Sequence, residues 1–320
     1  MAEADGSSNT SPAARQFIFL SPPKFFEGFE IFEEKETVLT PAILAFKSNL
    51  NSAILVGSIP YTLTLSAVFE ESYSRHSSAE RIKSLMSDYP RHSSEDESRA
   101  YVHEQIMKGV HEEFGGEEGR LKQAKRILQS LSSHMQDEGF LLSSNELLRQ
   151  VLVMTWGAFE TLTNDLIRCL LNFRPDISRV LFDSLHFREV LGNRRNFLDL
   201  LARYNFDLSV SIGDIFCDEA KLDSLEKIRD VVQHLFPSGK LLQAVGDARL
   251  WRIAQQRHLI VHRRGIVDQK YLMRTGDTEK LGALISFDSG YIGECLWLVR
   301  DVGLAFADEA SAALFSETRS

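Results

Sequence analysis

Trp251-Arg-Ile-Ala-Gln-Gln-Arg-His-Leu-Ile-Val-His-Arg-Arg-Gly265 is the stretch on which the reading of this chain turns. It has no Pro, carries apolar residues at helical spacing and ends on Gly, so it is predicted to be an amphipathic helix with a C-cap at Gly265. Turned at about 100° per residue with Arg257 at zero, Leu250, Ile253, Ala254, Ile260 and Val261 all fall within about 60° of it. An arginine therefore lies within the apolar stripe. His258 and His262, one turn apart, occupy the adjoining strip with Trp251 and Gln255. A guanidinium withdrawn from water needs an anion or several acceptors. An internal carboxylate, a subunit interface or a phosphate-binding cleft would each meet that need.

Outward from this helix, the pattern is helical in both directions. Leu148, Val151, Leu152, Thr155, Phe159, Leu162, Leu166 and Leu170 recur at spacings of three and four, ahead of Pro175. Ser143 and Glu146 precede that stripe as a capping box and are expected to open its helix. Further helices are predicted over Leu222–Phe236 and Val245–His262. A last helix carries Cys295, Leu298, Val299, Val302, Phe306 and Leu314 on one side. Gly282–Phe287 reads as a short strand or irregular insert. The fold class expected is mainly α: a helical bundle over 141–320, preceded by a mixed, mostly helical region over 16–140 and a disordered tail over 1–15.

In the N-terminal region, Gln16–Leu20 is a β-favouring run, and Thr40-Pro41 reads as a helix start. Tyr61–Ala67 alternates apolar and polar residues as a strand would. Arg75-His-Ser-Ser and Arg91-His-Ser-Ser form a local repeat. Each copy contains Ser-x-x-Glu (Ser77/Glu80 and Ser94/Glu97), so two helix starts account for it without a ligand for His76 or His92.

Arg257-His258-Leu-Ile-Val-His262 fits the Arg-x4-6-His signature and resembles the HEPN superfamily over roughly 140–316. The amphipathic helix with Trp156, Phe159 and Glu160, the exit Gly265-Ile-Val-Asp268 and the final packing helix are similar too. The resemblance implies a metal-independent RNA endonuclease, paired about a two-fold axis through the Arg257/His262 helix. His262 would be the acid/base group, Arg257 would hold the phosphate, and His258 would orient or assist. Glu160 is a candidate partner that orients Arg257 or a histidine. A His can take and give a proton near neutral pH, and an Arg presents a permanently charged fork to phosphate oxygens. Products would carry 2′,3′-cyclic phosphate and 5′-hydroxyl ends. The role implied is toxin-like or antiviral, checked by an antitoxin or sensor partner, with residues 16–140 regulatory. The rival expectation is a non-catalytic helical interaction, sensor or nucleotide-binding module.

Charge bears on these readings. With 36 Lys+Arg against 45 Asp+Glu in 320 residues the chain is formally −9, which argues against non-specific affinity for nucleic acid. Yet Arg249, Arg252, Arg257, Arg263, Arg264, Lys270 and Arg274 face only Asp268 between positions 249 and 274, a local +6. Arg252, Arg263, Arg264, Lys270 and Arg274 are the candidate RNA contacts. Arg194-Arg195 adds a second small cluster.

Other chemistries lack their motifs. The three cysteines (Cys169, Cys217, Cys295) are scattered, as suits a reducing cytoplasm rather than a disulfide or zinc scaffold. His258 and His262 could share a metal, but no Glu follows His258 and no third ligand stands nearby, so neither a metal nor any other cofactor is expected. No Gly-rich phosphate loop or Gly-x-Ser-x-Gly elbow occurs. The uncharged run Ser48–Phe69 contains eight Ser, Thr or Asn residues and Pro60, so buried soluble structure is expected there and no membrane partner.

Overall fold

The long apolar stripe does form one helix, and every one of its eight positions is buried. In a computed structural model that describes residues 22–86, 88–183, 197–236 and 239–315, all regular structure is helical: 14 helices, 79% helix and no strand. The expected tail 1–15, the β-favouring run 16–20 and the Arg194-Arg195 cluster lie outside the described residues.

The helices are α1 (Pro22–Phe25), α2 (Glu30–Glu34), α3 (Thr40–Gly57), α4 (Ile59–Lys83), α5 (Glu95–Phe114), α6 (Gly116–His134) and α7 (Glu138–Phe173). A 3₁₀ segment over Pro175–Asp183 follows. Then come α8 (Phe197–Arg203), α9 (Ile212–Ala220), α10 (Leu225–Leu235), α11 (Gly239–Val245), α12 (Ala248–Arg263), α13 (Gln269–Thr275) and α14 (Ser289–Phe315). They fall into two units, one of residues 57–146 and one made of the described parts of 19–56 and 147–320.

In the first unit α4, α5 and α6 pack pairwise. Val68, Ile127 and Leu131 form the core, with Tyr61, Leu65, Phe114, Met135 and Phe140 around them. Beside it Glu113, with a side chain only 8% exposed, accepts from Ser72, Arg75 and Arg126, and His76 lies 3.3 Å away. Burial alone would push this carboxyl up. The donors around it prevail and hold it down at about 2.

Several expectations are corrected here. Tyr61–Ala67 is helix: α4 starts with Pro60 in its first turn, and the Thr62 and Thr64 hydroxyls donate back to Ser58 and Pro60 carbonyls. Alternation over seven residues did not outweigh a helix already begun. Ser77 lies inside α4 and opens nothing, because no breaker interrupts that helix. Ser94 does cap α5, accepting from the Glu97 N–H at 3.2 Å. Ser143 lies within α7, donating to the Gly139 carbonyl; the Asp137 carboxylate instead meets the N–H of Phe140 at the start of that helix. The uncharged run is only partly buried, since Leu50, Ala53, Ile54 and Val68 are covered while Leu55, Ile59, Leu63 and Phe69 are exposed. No single helix among the described residues is long and apolar enough to cross a membrane.

In the second unit α7 is the spine. Phe46 of α3 and Leu162 of α7 both approach Gly303 of α14, where an added Cβ would meet the Phe46 ring at 2.4 Å. Phe25 packs edge-on to Trp297, and Arg300 donates to the carbonyls of Phe25 and Glu27. Residues 22–56 thus share a core with the C-terminal helices. Segment 282–287 makes one antiparallel bridge, Ile266 with Leu284, rather than a strand. Buried Arg149 of α7 donates to the Ile285 carbonyl and anchors it.

Candidate functional site

The site is organised by α12. Asp247 caps its start, its carboxylate accepting from the Arg249 N–H, and the chain leaves it left-handed at both Arg264 (φ 55°) and Gly265 (φ 77°). The reversal therefore begins one residue before the expected glycine. The N–H of Gly265 returns to the Leu259 carbonyl, closing the helix end.

The buried line of α12 runs through Leu250, Ile253, Gln256, Leu259 and Ile260, while Val261 is 47% exposed. The apolar stripe is thus rotated from its expected centre, and Arg257 lies on its flank. Its guanidinium reaches Glu160 of α7 at 3.4 Å, and its Nε is buried with no hydrogen-bond partner. Burial pushes the Glu160 carboxyl up, Arg257 pulls it down, and Asp223 pushes it up again, leaving it raised. Of the three ways to satisfy Arg257 raised by the sequence, the internal carboxylate is present.

Arg257, His258 and Arg274 line one cleft of about 270 Å³, whose wall includes Trp156, Asp223 and Glu226. His258, Arg263, Lys270 and Arg274 line a smaller adjoining hollow of about 70 Å³. The His258 and His262 rings are 4.5 Å apart between centroids, and both side chains are exposed. Desolvation, then the neighbouring His262, Lys270, Arg274 and Arg257, lower the His258 pKa from the ordinary histidine value.

The basic candidates divide. Arg274 donates to Gln255 at 3.1 Å and stands in the cleft wall. Arg263 leans on Asp268 at 3.5 Å. Arg252 faces away from this cleft, 3.6 Å from Asp277. Arg249 is held by Asp247 at 2.7 Å. Arg264 and Lys270 have no acidic partner among the described residues. Two of the acids that pair with these arginines, Asp247 and Asp277, lie just outside the window that counted +6, so the field at the helix is weaker than that count.

Sequence reasoning missed the acidic wall. Asp223-Ser224 could be read as a helix start, and Ser224 does cap α10. Nothing along the chain indicated that this cap would face Arg257. Trp156 packs on Phe159, and Trp251 lies beneath the guanidinium of Arg229. No cluster of three or more His, Cys, Asp or Glu that could hold a metal occurs among the described residues.

No protein-family model, curated protein or solved structure matches the chain.

Proposed function

We propose that this protein is a HEPN-type, metal-independent RNA endonuclease of toxin or antiviral-defence character, acting in the cytoplasm as a homodimer paired along α12. The observation that carries the reading is the convergence of Arg257, His258 and Arg274 on one cleft, with the buried Nε of Arg257 unpartnered. In this reading a phosphate of the RNA substrate takes the place beside Arg257 and Arg274. A neutral His258 or His262 removes the 2′-hydroxyl proton, and a protonated histidine returns one to the leaving 5′-oxygen. The oxygen nucleophile belongs to the substrate, so products carry 2′,3′-cyclic phosphate and 5′-hydroxyl ends. His262 stands one turn beyond His258 on an exposed face, which suits a cleft completed by a second copy. An antitoxin or sensor partner would keep such an activity in check.

One observation favours the second reading, a non-catalytic interaction, sensor or nucleotide-binding module: Glu160, Asp223 and Glu226 bring carboxylates to Arg257 and its cleft. Incubation of the full chain with RNA in EDTA separates the two. Cleavage that survives chelation and falls at least about 100-fold in both Arg257→Ala and His262→Ala is the expected result. Absence of cleavage by the wild-type chain would decide for the module. Cleavage abolished by EDTA would overturn the metal-independent mechanism.

A further inference from the structure

Behind Arg274, on the other flank of α12, lies a larger cavity of about 570 Å³, within the size range of small-ligand sites. Its floor is apolar, with Ile253 of α12 and Leu298 of α14, and Trp251 and Tyr291 add aromatic surface. Arg249, Arg252 and Arg274 stand in its wall against a single carboxylate, Glu294. Arg274 is the link, because it lines this cavity, the Arg257/His258 cleft and the smaller hollow alike.

We infer that this cavity is a nucleoside subsite: it takes the base and ribose of the nucleotide next to the phosphate held at Arg257 and Arg274. The inference rests on the phosphate reading of that cleft. Three features select a nucleotide over an apolar metabolite. The wall combines aromatic and aliphatic side chains for a base with guanidinium groups suited to anions and to stacking. Arg249 and Arg252 are spoken for by Asp247 and Asp277, so they bring guanidinium planes without two unpaired charges. Arg274 borders both spaces, so phosphate and base lie on either side of one residue as neighbouring parts of one ligand.

Isothermal titration of the full chain with the four nucleoside 3′-monophosphates, ribose 5-phosphate and inorganic phosphate tests this. Two fillers narrow the cavity from its wall: Ala248→Phe, at an exposed position, and Leu298→Phe, at a half-exposed one. At least one nucleotide is expected to bind tenfold or more tightly than ribose 5-phosphate. That advantage should vanish in a filler whose melting temperature is unchanged, while phosphate binding persists. Equal affinity for nucleotide and ribose phosphate, or an advantage untouched by both fillers, overturns the subsite. RNA cleavage assayed on the same samples separates the two readings. Base-dependent binding that the fillers abolish, without cleavage, removes the nuclease and keeps the subsite. Cleavage without base-dependent binding does the reverse.

Discussion

His258 is the residue whose environment says most about the chemistry available to α12. Desolvation and four neighbouring cationic or ionisable groups lower its pKa from the ordinary histidine value, which favours its unprotonated form. If it serves as base, the cleavage rate should fall as pH drops through its folded pKa, and that acidic limb should lie below about pH 6.5. His258→Ala should remove the limb along with most of the rate, as a pH–rate profile would show. A limb at or above pH 6.5 would assign the base elsewhere. Arg257 shows the limit of sequence reading at this scale. Its awkward place near an apolar stripe was legible at 100° per residue, and so was Glu160 as a candidate partner. The 3.4 Å pair they form was one of several allowed outcomes until the α7 and α12 axes were known. Asp223 and Glu226 were invisible, because their approach to the cleft depends on packing between helices distant in sequence.

At the scale of elements, end chemistry decided where helices start, and periodicity decided what they bury. Ser94 caps α5 through the Glu97 N–H, so Ser94→Ala should cost about 1 kcal/mol in chemical denaturation. Ser143→Ala should cost less than half of that, because its hydroxyl only doubles a carbonyl bond already made inside α7. Both serines carry the same Ser-x-x-Glu pattern. They differ in what precedes them: an extended residue before α5, and a helix already capped by Asp137 before Ser143. Gly303 makes a stronger case. With the Phe46 ring 2.4 Å from where a Cβ would be, Gly303→Ala forces α3 and α14 apart and should destabilise by about 1–3 kcal/mol, seen as a lowered melting temperature. The stripe on α7 was legible to the residue because a 3.6 period leaves few other ways to cover eight apolar side chains. The run Tyr61–Ala67 was misread because β-like alternation and helix propensity compete evenly over so short a stretch.

At the scale of the whole molecule, charge and acid stability can be argued together. The unit of residues 57–146 gathers Arg75, His76, Lys122 and Arg126 around one carboxylate, Glu113. Its folded pKa of about 2 lies below the ordinary 4.5, so the stability it contributes is present above about pH 4.5 and lost as pH falls toward 2. Glu113→Gln should flatten acid unfolding in that window and cost about 1–3 kcal/mol at pH 7, measured by urea melts at several pH values. A steeper acid transition in the variant would contradict the assignment. If RNA is the substrate proposed, the acidic chain also predicts a modest salt slope for its binding. With most α12 arginines paired to acids, only a few phosphate contacts release counterions.

The bond from Arg300 to the carbonyls of Phe25 and Glu27 has a temporal side. Phe25 and Phe46 meet their partners, Trp297 and Gly303, only when some 250 further residues have been synthesised. At about 5–20 residues per second that is a delay on the order of 10–60 s, during which an aromatic-rich segment waits uncovered on the ribosome. Birth order therefore leaves Phe25 and Phe46 without these partners until α14 has been made.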